Sequence, residues 1–154
     1  MTGATMQAPA AQPARDDAPR PGGGCVVLRA GDRVPYTGKN DLQYFEGVST
    51  QRVGSQGLCM HLLTVPPGGR SKAHLHEAHE TAVYVLSGEG YMLCGPQLEA
   101  RMTFGPGDFV YIPAGAPHVV FNTGNEAMVG VLARTDPNEQ ESVVLRPDLE
   151  AAVR

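Results

Sequence analysis

Short apolar runs separated by turn-forming residues make up most of this chain. Runs rich in Val, Leu, Tyr and Phe cover residues 25–28, 42–48, 58–65 and 81–87, and Gly- and Pro-rich turns recur closely from position 66 onward. Turns about eight to twelve residues apart are typical of β-sandwiches and β-barrels, whose strands are short. No apolar residues recur at helical spacing over a comparable length. The pattern therefore predicts an all-β domain with strands in these four runs.

The run 81–87 is apolar on both faces of its predicted strand. Alternate residues point to opposite faces, so three would face the interior and three the exterior. The interior set is Thr81, Val83 and Val85, and the exterior set is Ala82, Tyr84 and Leu86. A strand that is apolar on both faces is covered on both faces. Either the strand predicted at 26–28 or a second subunit must cover the exterior, and we expect a homodimer.

Length and composition fit a single domain. Of 154 residues, 42% are hydrophobic and 18% are charged, as in soluble globular proteins. Residues 1–24 are rich in Ala, Pro and Gly and cannot bury enough apolar surface to offset the entropy of ordering them. We predict a flexible tail over 1–24 and one domain over 25–154. Within the domain, residues 136–137 are predicted to open a helical turn and 143–145 to form an edge strand.

Charge and hydropathy argue against several classes of partner. The net charge of −4 is unsuited to nucleic acid, and no apolar run approaches the roughly 20 residues of a membrane-spanning helix. The N-terminus has neither the basic start nor the apolar stretch of a secretory signal. Cys25, Cys59 and Cys94 are odd in number and irregularly spaced, which indicates free thiols in a reducing compartment. We expect a cytoplasmic protein with no nucleic-acid or membrane partner.

Histidines carry the strongest chemical signal in the chain. His74 and His76 are separated by one residue, so on a strand both imidazoles face the same side. Neutral imidazole is the commonest metal ligand in proteins. The pair alone is weak evidence for a metal site, but His118 follows in a second segment that is dense in Gly and Pro.

The two segments resemble the two sequence motifs of the cupin superfamily. The first motif combines Gly, His-x-His, Glu and Gly at set spacings, and the matching residues are Gly68, His74, His76 and Gly88. The second motif combines Gly, Pro-x-Gly, His and Asn, and every position is matched, by Gly107, Pro113, Gly115, His118 and Asn122. The resemblance covers roughly residues 42–134 and implies a double-stranded β-helix (jelly-roll) barrel. It also implies one metal inside the barrel, bound by the motif histidines and glutamate.

The position of the glutamate is ambiguous in this sequence. Counting forward from His76 places Glu80 in the family position, whereas counting back from Gly88 places Thr81 there. A β-bulge could turn Glu80 inward as the fourth ligand. Alternatively, the site contains three histidines only, or His79 replaces the glutamate. We predict the ligand set His74, His76, Glu80 and His118, and the other two arrangements stay open.

Three further polar residues could have a functional or a structural role. His79 is predicted to be catalytic, as a general base, although a hydrogen bond to a ligand or direct metal binding would also suit its position. His61 lies within an apolar run and is expected to be structural. Arg134 stands where a strand leaves the barrel; we expect it to be solvated or paired with an acid, the alternative being a substrate carboxylate at the barrel mouth.

The metal chemistry follows from the donor set. Three imidazoles, with or without a carboxylate, leave open positions on a six-coordinate ion and suit Fe(II), Mn(II), Ni(II) or Cu(II), with Zn(II) a further candidate. We predict an Fe(II) non-haem dioxygenase acting on a small enol, phenol or keto-acid chelated to the metal. The alternatives are a metal-dependent isomerase, cyclase or lyase, and a metal- or ligand-binding protein without turnover.

Overall fold

The computed structural model describes residues 24–138 and 142–153 of the chain. The tail predicted at 1–24 therefore lies, apart from Gly24, outside the described residues. No helix in the described ranges is both long enough and apolar enough to cross a membrane.

Strands dominate the part of the chain that the structure describes. They are β1 (Val34–Thr37), β2 (Gln43–Val48), β3 (Cys59–Val65), β4 (His74–His76), β5 (Thr81–Ser87), β6 (Gly90–Cys94), β7 (Ala100–Phe104), β8 (Phe109–Ile112), β9 (His118–Asn122), β10 (Met128–Arg134) and β11 (Val143–Leu145). A single α-helical turn, α1 (Thr50–Val53), follows β2, and 3₁₀ turns cover Ala30–Asp32 and Pro147–Ala152. The all-β prediction is confirmed.

Two antiparallel sheets enclose the interior. One has the strand order β1-β2-β3-β10-β5-β8 and the other β11-β4-β9-β6-β7. The histidine pair lies on β4 and His118 begins β9, and in the second sheet these strands are neighbours with His74 opposite His118. Residues directly opposite one another on antiparallel strands point to the same face. The sheet pairing therefore brings the two motifs together, although they are far apart in sequence.

Strand β5 alternates between the two faces as its pattern predicts. Thr81 and Val85 are buried, whereas Ala82, Tyr84 and Leu86 are exposed. The inner face packs on an apolar cluster that comprises Leu42, Tyr44, Leu63, Val65, Met128 and Leu132. A second cluster, formed by Ala73, Leu98, Val119 and Leu149, packs against the other sheet. It includes a residue from the C-terminal 3₁₀ turn.

Two motif glycines occupy positions that exclude other residues or strain them. Gly88 has φ +78°, and a Cβ there would lie 2.6 Å from Met128 Cα, so a side chain would collide with β10. Gly107 has φ +93°, and the N–H of Asp108 donates to the carbonyl of Gly105. These features fit the type II turn expected where Pro precedes Gly.

One local expectation from the sequence is wrong. Residues 26–28 form no strand; they line a cavity together with Met60, Leu62 and Val131 on the outer face of the first sheet. The helical turn predicted to open at 136–137 would continue into 139–141, which lie outside the described residues, so it stays a prediction; the Asp136 carboxylate accepts the N–H of Asn138. The predicted edge strand is present as β11, at the end of the second sheet beside β4.

Candidate metal centre

Three buried histidines converge inside the barrel. One potential ligand atom from each of His74, His76 and His118 lies within 4.8 Å of the others. The ring centroids of His74 and His118 are 4.2 Å apart, and those of His76 and His118 are 5.2 Å apart. Such a group of imidazoles has the spacing and the donor type for one divalent transition metal.

Backbone carbonyls fix the orientation of two of these rings. His74 Nδ1 lies 2.8 Å from the carbonyl oxygen of Lys72, and His118 Nδ1 lies 2.9 Å from that of Ala116. A carbonyl only accepts, so in each ring Nδ1 carries the proton and Nε2 keeps its lone pair. A metal-binding histidine is commonly held in this way, with its second nitrogen donating to the backbone.

Burial keeps the three imidazoles neutral. Desolvation is the largest cause that lowers the pKa of His74, His76 and His118, and for His118 it brings the pKa to about 4. The positive charge of Arg134 lowers all three pKa values further. At neutral pH the lone pairs of the cluster are therefore available to a cation rather than blocked by protons.

Glu80 is not brought to the three imidazoles. Its side chain is exposed on the outer surface, where its Oε1 accepts the hydroxyl proton of Tyr111 at 2.7 Å. The backbone N–H of Glu80 donates to Thr135 Oγ1, and the N–H of Thr135 donates back to the carbonyl of Glu80. These bonds hold the carboxylate on the face of the strand that points away from the metal cluster. Among the described residues, the cluster consists of histidines alone.

Thr81 takes the inward position that the motif gives to glutamate. It begins β5 opposite Arg134 of β10, and its side chain is buried. The irregularity in β5 lies at the other end of the strand, where Val129 faces Ser87 and Gly130 faces Val85. A bulge there leaves the alternation between 81 and 85 intact, so it cannot turn Glu80 inward. Within the described residues Thr81 Oγ1 has no hydrogen-bond partner.

His79 lies directly behind the cluster. Its ring centroid is 4.5 Å from that of His76, and its side chain is fully buried. Its Nδ1 is in hydrogen-bond contact with Ser142 Oγ and lies 3.4 Å from an oxygen of Asp136. His79 therefore supports His76 on one side and holds the segment before β11 on the other. It does not belong to the group of three imidazoles, and its predicted catalytic role remains a prediction.

Arg134 is buried, so it is not solvated; the other half of the expectation, pairing with an acid, stays a prediction. It is the last residue of β10 and faces the interior, opposite Cys59 and Thr81. Its guanidinium carbon is 5.7 Å from the centre of the Tyr44 ring, a cation–π distance. The sequence pattern already contained this placement, because Arg134 continues the inward series Met128, Gly130 and Leu132.

Asn40 and Tyr44 were missed by sequence reasoning. Asn40 lies in the turn between β1 and β2 and is buried, with Nδ2 at 2.9 Å from Tyr44 Oη and 3.1 Å from His74 Nε2. Neither residue belongs to a motif, and a polar residue in a turn carries no signal of burial. The only hint in the sequence was Tyr44, which follows Leu42 by two residues and therefore shares its face of the predicted strand.

Two further buried polar residues lie outside the cluster. His61 is buried on β3, apart from the three converging imidazoles, and its ring meets that of Tyr36 edge-on at 5.9 Å. Asn122 is structural: its Nδ2 donates to the carbonyls of Val65, Pro66 and Glu126. These bonds tie the end of β9 to the loops on either side.

Comparison with known proteins agrees with this geometry. The family profile described as "Cupin domain" matches residues 61–133, which include all three histidines of the cluster. The chain carries a cupin domain. A curated relative, the uncharacterized protein MJ1618 of Methanocaldococcus jannaschii, is 37% identical over 62 residues, and the match covers 40% of this chain and 46% of that protein. The chain thus matches less than half of that relative's length.

Solved structures share the cupin fold. The polyketide cyclase RemF from Streptomyces resistomycificus is 21% identical with a TM-score of 0.65, and the match covers 84% of this chain and 93% of that one. A proposed sugar phosphate isomerase from Acidithiobacillus ferrooxidans is 28% identical with a TM-score of 0.56, covering 70% and 73% respectively. The jelly-roll prediction is confirmed. Three neutral, buried imidazoles, two of them held by backbone carbonyls, make this cupin interior fit a divalent transition metal.

Proposed function

We propose that this cupin is a metal-dependent enzyme whose centre is formed by His74, His76 and His118. The observation that carries the proposal is the convergence of three buried, neutral imidazoles, two of them held by backbone carbonyls so that Nε2 is available. Holding three imidazoles together without a cation would leave buried polar atoms poorly satisfied, as at His76 Nδ1, which has no hydrogen-bond partner among the described residues.

The charge of the interior points to an anionic substrate. Three neutral ligands leave the charge of a divalent ion uncompensated, and the buried guanidinium of Arg134 adds positive charge nearby. A substrate that arrives as a carboxylate, enolate or phenolate would balance the charge of the ion. Such a molecule would occupy the open metal positions. The proposed substrates are therefore small enols, phenols and keto-acids.

The proposed reaction class is dioxygenation with Fe(II). When bound, Fe(II) would supply one-electron chemistry and open positions for substrate and O₂. The protein would contribute a buried site that excludes water, and an imidazole at His79 that can hold a proton beside the Asp136 carboxylate. Mn(II), Ni(II), Cu(II) and Zn(II) suit the same donors and are further candidates for the resident ion.

A non-redox reaction is the second candidate. The likeness to a polyketide cyclase extends over 84% of this chain, and a proposed sugar phosphate isomerase is 28% identical. A Lewis-acidic metal that polarises a substrate carbonyl would serve isomerisation or cyclisation without oxygen. The same anionic, chelating substrates suit both candidates.

Oxygen uptake separates the two candidates. Protein purified without oxygen is analysed for metal content, stripped, and reloaded separately with Fe(II), Mn(II) or Zn(II). Each form is then given a panel of enols, phenols and keto-acids in an oxygen electrode, with products identified by mass spectrometry. Oxygen consumed in step with product by the Fe(II) form supports the dioxygenase, whereas turnover without oxygen uptake selects isomerase or cyclase chemistry. Absence of stoichiometric metal in every form would overturn the proposal.

A homodimer is proposed through the outer face of β5 and β8. Phe109 is 82% exposed and Tyr111 59% exposed, and the ring of Phe109 lies 4.8 Å from that of Tyr84. The segment at 26–28 lies over β3 and β10 and leaves this aromatic patch uncovered. Since exposed aromatic clusters mark association surfaces, a second copy is the expected occupant.

The dimer is tested by mass in solution. Sedimentation of the wild-type protein is expected to give a dimer at tens of micromolar, and Phe109→Glu a monomer. Met102→Glu is the matched control, because Met102 is 55% exposed but lies on β7 of the other sheet. A monomeric wild type would refute the dimer. Dissociation by Met102→Glu instead of Phe109→Glu would show that the interface lies on the other sheet.

A further inference from the structure

The side chain of Asn40 reaches the candidate metal centre from outside both cupin motifs. Asn40 lies in the turn between β1 and β2 and is 3% exposed. Its Nδ2 lies 3.1 Å from His74 Nε2, the atom that must bind a metal. Among the described residues, no other side-chain amide hydrogen-bonds to one of the three imidazoles.

A metal and the Asn40 N–H group compete for one lone pair. His74 Nδ1 carries the ring proton because it donates to the carbonyl of Lys72 at 2.8 Å. Nε2 therefore has a single lone pair, and the Asn40 amide donates to it. A cation bound at Nε2 would use that lone pair and would repel the positive end of the N–H dipole. Metal binding thus requires the Asn40 amide to reorient.

The simplest reorientation brings an oxygen into place. Rotating the terminal amide by half a turn exchanges Nδ2 and Oδ1, two atoms whose assignment rests on hydrogen bonding. Oδ1 would then lie 3.1 Å from His74 Nε2. Two donors that bind one ion at about 2.1 Å and at right angles are roughly 3.0 Å apart. The rotated oxygen therefore lies at the separation expected of neighbouring metal ligands.

The surrounding hydrogen bonds tolerate this rotation. Tyr44 Oη lies 2.9 Å from Nδ2 and 3.3 Å from Oδ1, and a hydroxyl can donate or accept, so it can remain bonded in both orientations. The bond lost is the long one from the N–H of Leu42 to Oδ1, at 3.4 Å. The backbone stays in place, because the N–H of Lys72 donates to the carbonyl of Asn40 at 3.0 Å.

We propose that Asn40 Oδ1 is the fourth protein ligand of the metal centre. This inference rests on the proposed function, since it requires a metal at the three histidines. Asn40 would supply a neutral oxygen in a centre whose β5 position carries Thr81 instead of a carboxylate. A neutral fourth ligand leaves the charge of the ion for an anionic substrate to balance.

Metal affinity and the Co(II) spectrum test the proposal. Wild type, Asn40→Ala, Asn40→Asp and Tyr44→Phe are titrated with Co(II) and Zn(II) against a competing chelator, and Co(II) absorption is recorded. We expect Asn40→Ala to bind roughly 10- to 100-fold more weakly with an altered Co(II) spectrum, and Asn40→Asp to bind more tightly than wild type because its oxygen is charged. Tyr44→Phe, which keeps the amide but removes its hydroxyl partner, should stay within about threefold of wild type.

The outcomes test the Asn40 ligand separately from the three-histidine centre. Asn40→Ala with wild-type or tighter affinity would show that the amide merely competes with the metal, and would overturn the inference while the three-histidine centre stands. If Asn40→Ala does not fold, Asn40→Asp decides: weaker binding than wild type overturns the inference. Loss of binding in His118→Ala, measured alongside, supports the centre. A wild type that binds no metal would remove both proposals.

Discussion

The two ends of the barrel interior are built by the same strands but have opposite chemistry. Along β10 the inward residues run from Met128 and Leu132 to Arg134, and along β5 from Val85 to Thr81. On β3 the inward series changes likewise, from Val65 and Leu63 to His61. The strands are paired so that Leu132 faces His61 and Arg134 faces Thr81, which places the polar residues at one end.

The comparison of the two ends shows that one sequence pattern carries two kinds of information. Alternation decides which residues face the interior, and in β3 and β10 it is unbroken from one end to the other. The identity of the inward side chain decides what that level of the barrel does. Apolar residues at one end provide the packing that stabilises the fold, and polar residues at the other end are buried at a cost. Among these, Arg134 acts on the histidine cluster through its positive charge.

The largest effect is expected from removing one imidazole at the polar end. His118→Ala should weaken metal binding by roughly a hundred-fold or more, because it leaves two histidines. Metal content after anaerobic reloading measures this. His61→Ala removes a histidine that is equally buried but outside the cluster, and should retain stoichiometric metal. If His118→Ala retained all of its metal, the two ends would not differ in function.

A cavity at the apolar end should separate stability from metal binding. Leu63→Ala is expected to lower the free energy of unfolding by about 3 kcal/mol, since Leu63 is buried within the core cluster. Metal stoichiometry should be unchanged below the unfolding transition. Urea unfolding checks the first expectation and elemental analysis the second. Leu58→Ala, at a half-exposed position, should cost less than about 1 kcal/mol. Metal loss in folded Leu63→Ala would contradict this separation.

Acid should destabilise the metal-free protein through the polar end. Burial lowers the pKa of His118 from 6.5 to about 4. Between these two values the unfolded chain binds more protons than the folded one, so stability falls as the pH falls through this window. Urea midpoints of metal-free protein at pH 7.5, 6 and 5 should decrease in that order. His118→Gln should flatten the trend, and a midpoint independent of pH in the wild type would contradict it.

The smallest effect is expected at Glu80. Glu80→Ala should change metal affinity by less than about threefold, because the carboxylate is exposed and bonded to Tyr111. Thr81→Glu, at the inward position next to it, should tighten binding by adding a charged ligand. Chelator competition measures both variants. A tenfold loss in Glu80→Ala would restore the four-ligand set predicted from the sequence.

Much of the fold could be predicted because it depends on local signals. Alternation in β5, the glycine at 107 and the returning strand β11 each follow from a few neighbouring residues. The segment at 26–28 was misjudged because β propensity alone does not provide a partner strand. Whether such a run pairs depends on which sheet edge it reaches, and that is a tertiary property.

The candidate site was predictable only as far as its motifs extend. Spacing identified His74, His76 and His118. It could not decide between the neighbours Glu80 and Thr81, which point to opposite faces where β5 begins. Only the position of the bulge in β5, set by its pairing with β10, separates them. Asn40 was not predictable, because its contact with His74 arises from the packing of a turn against a strand remote in sequence.

The C-terminal return of the chain sets the order in which the centre can be completed during synthesis. Val143 and Leu145 pair with His76 and His74, and the Glu150 carboxylate accepts the N–H of Ala73. On a ribosome, β4 and β9 would emerge well before this covering segment. The nascent histidine strands would therefore wait with an open edge until residues 142–150 left the exit tunnel. Metal insertion into the finished centre would then follow the emergence of residues 142–150.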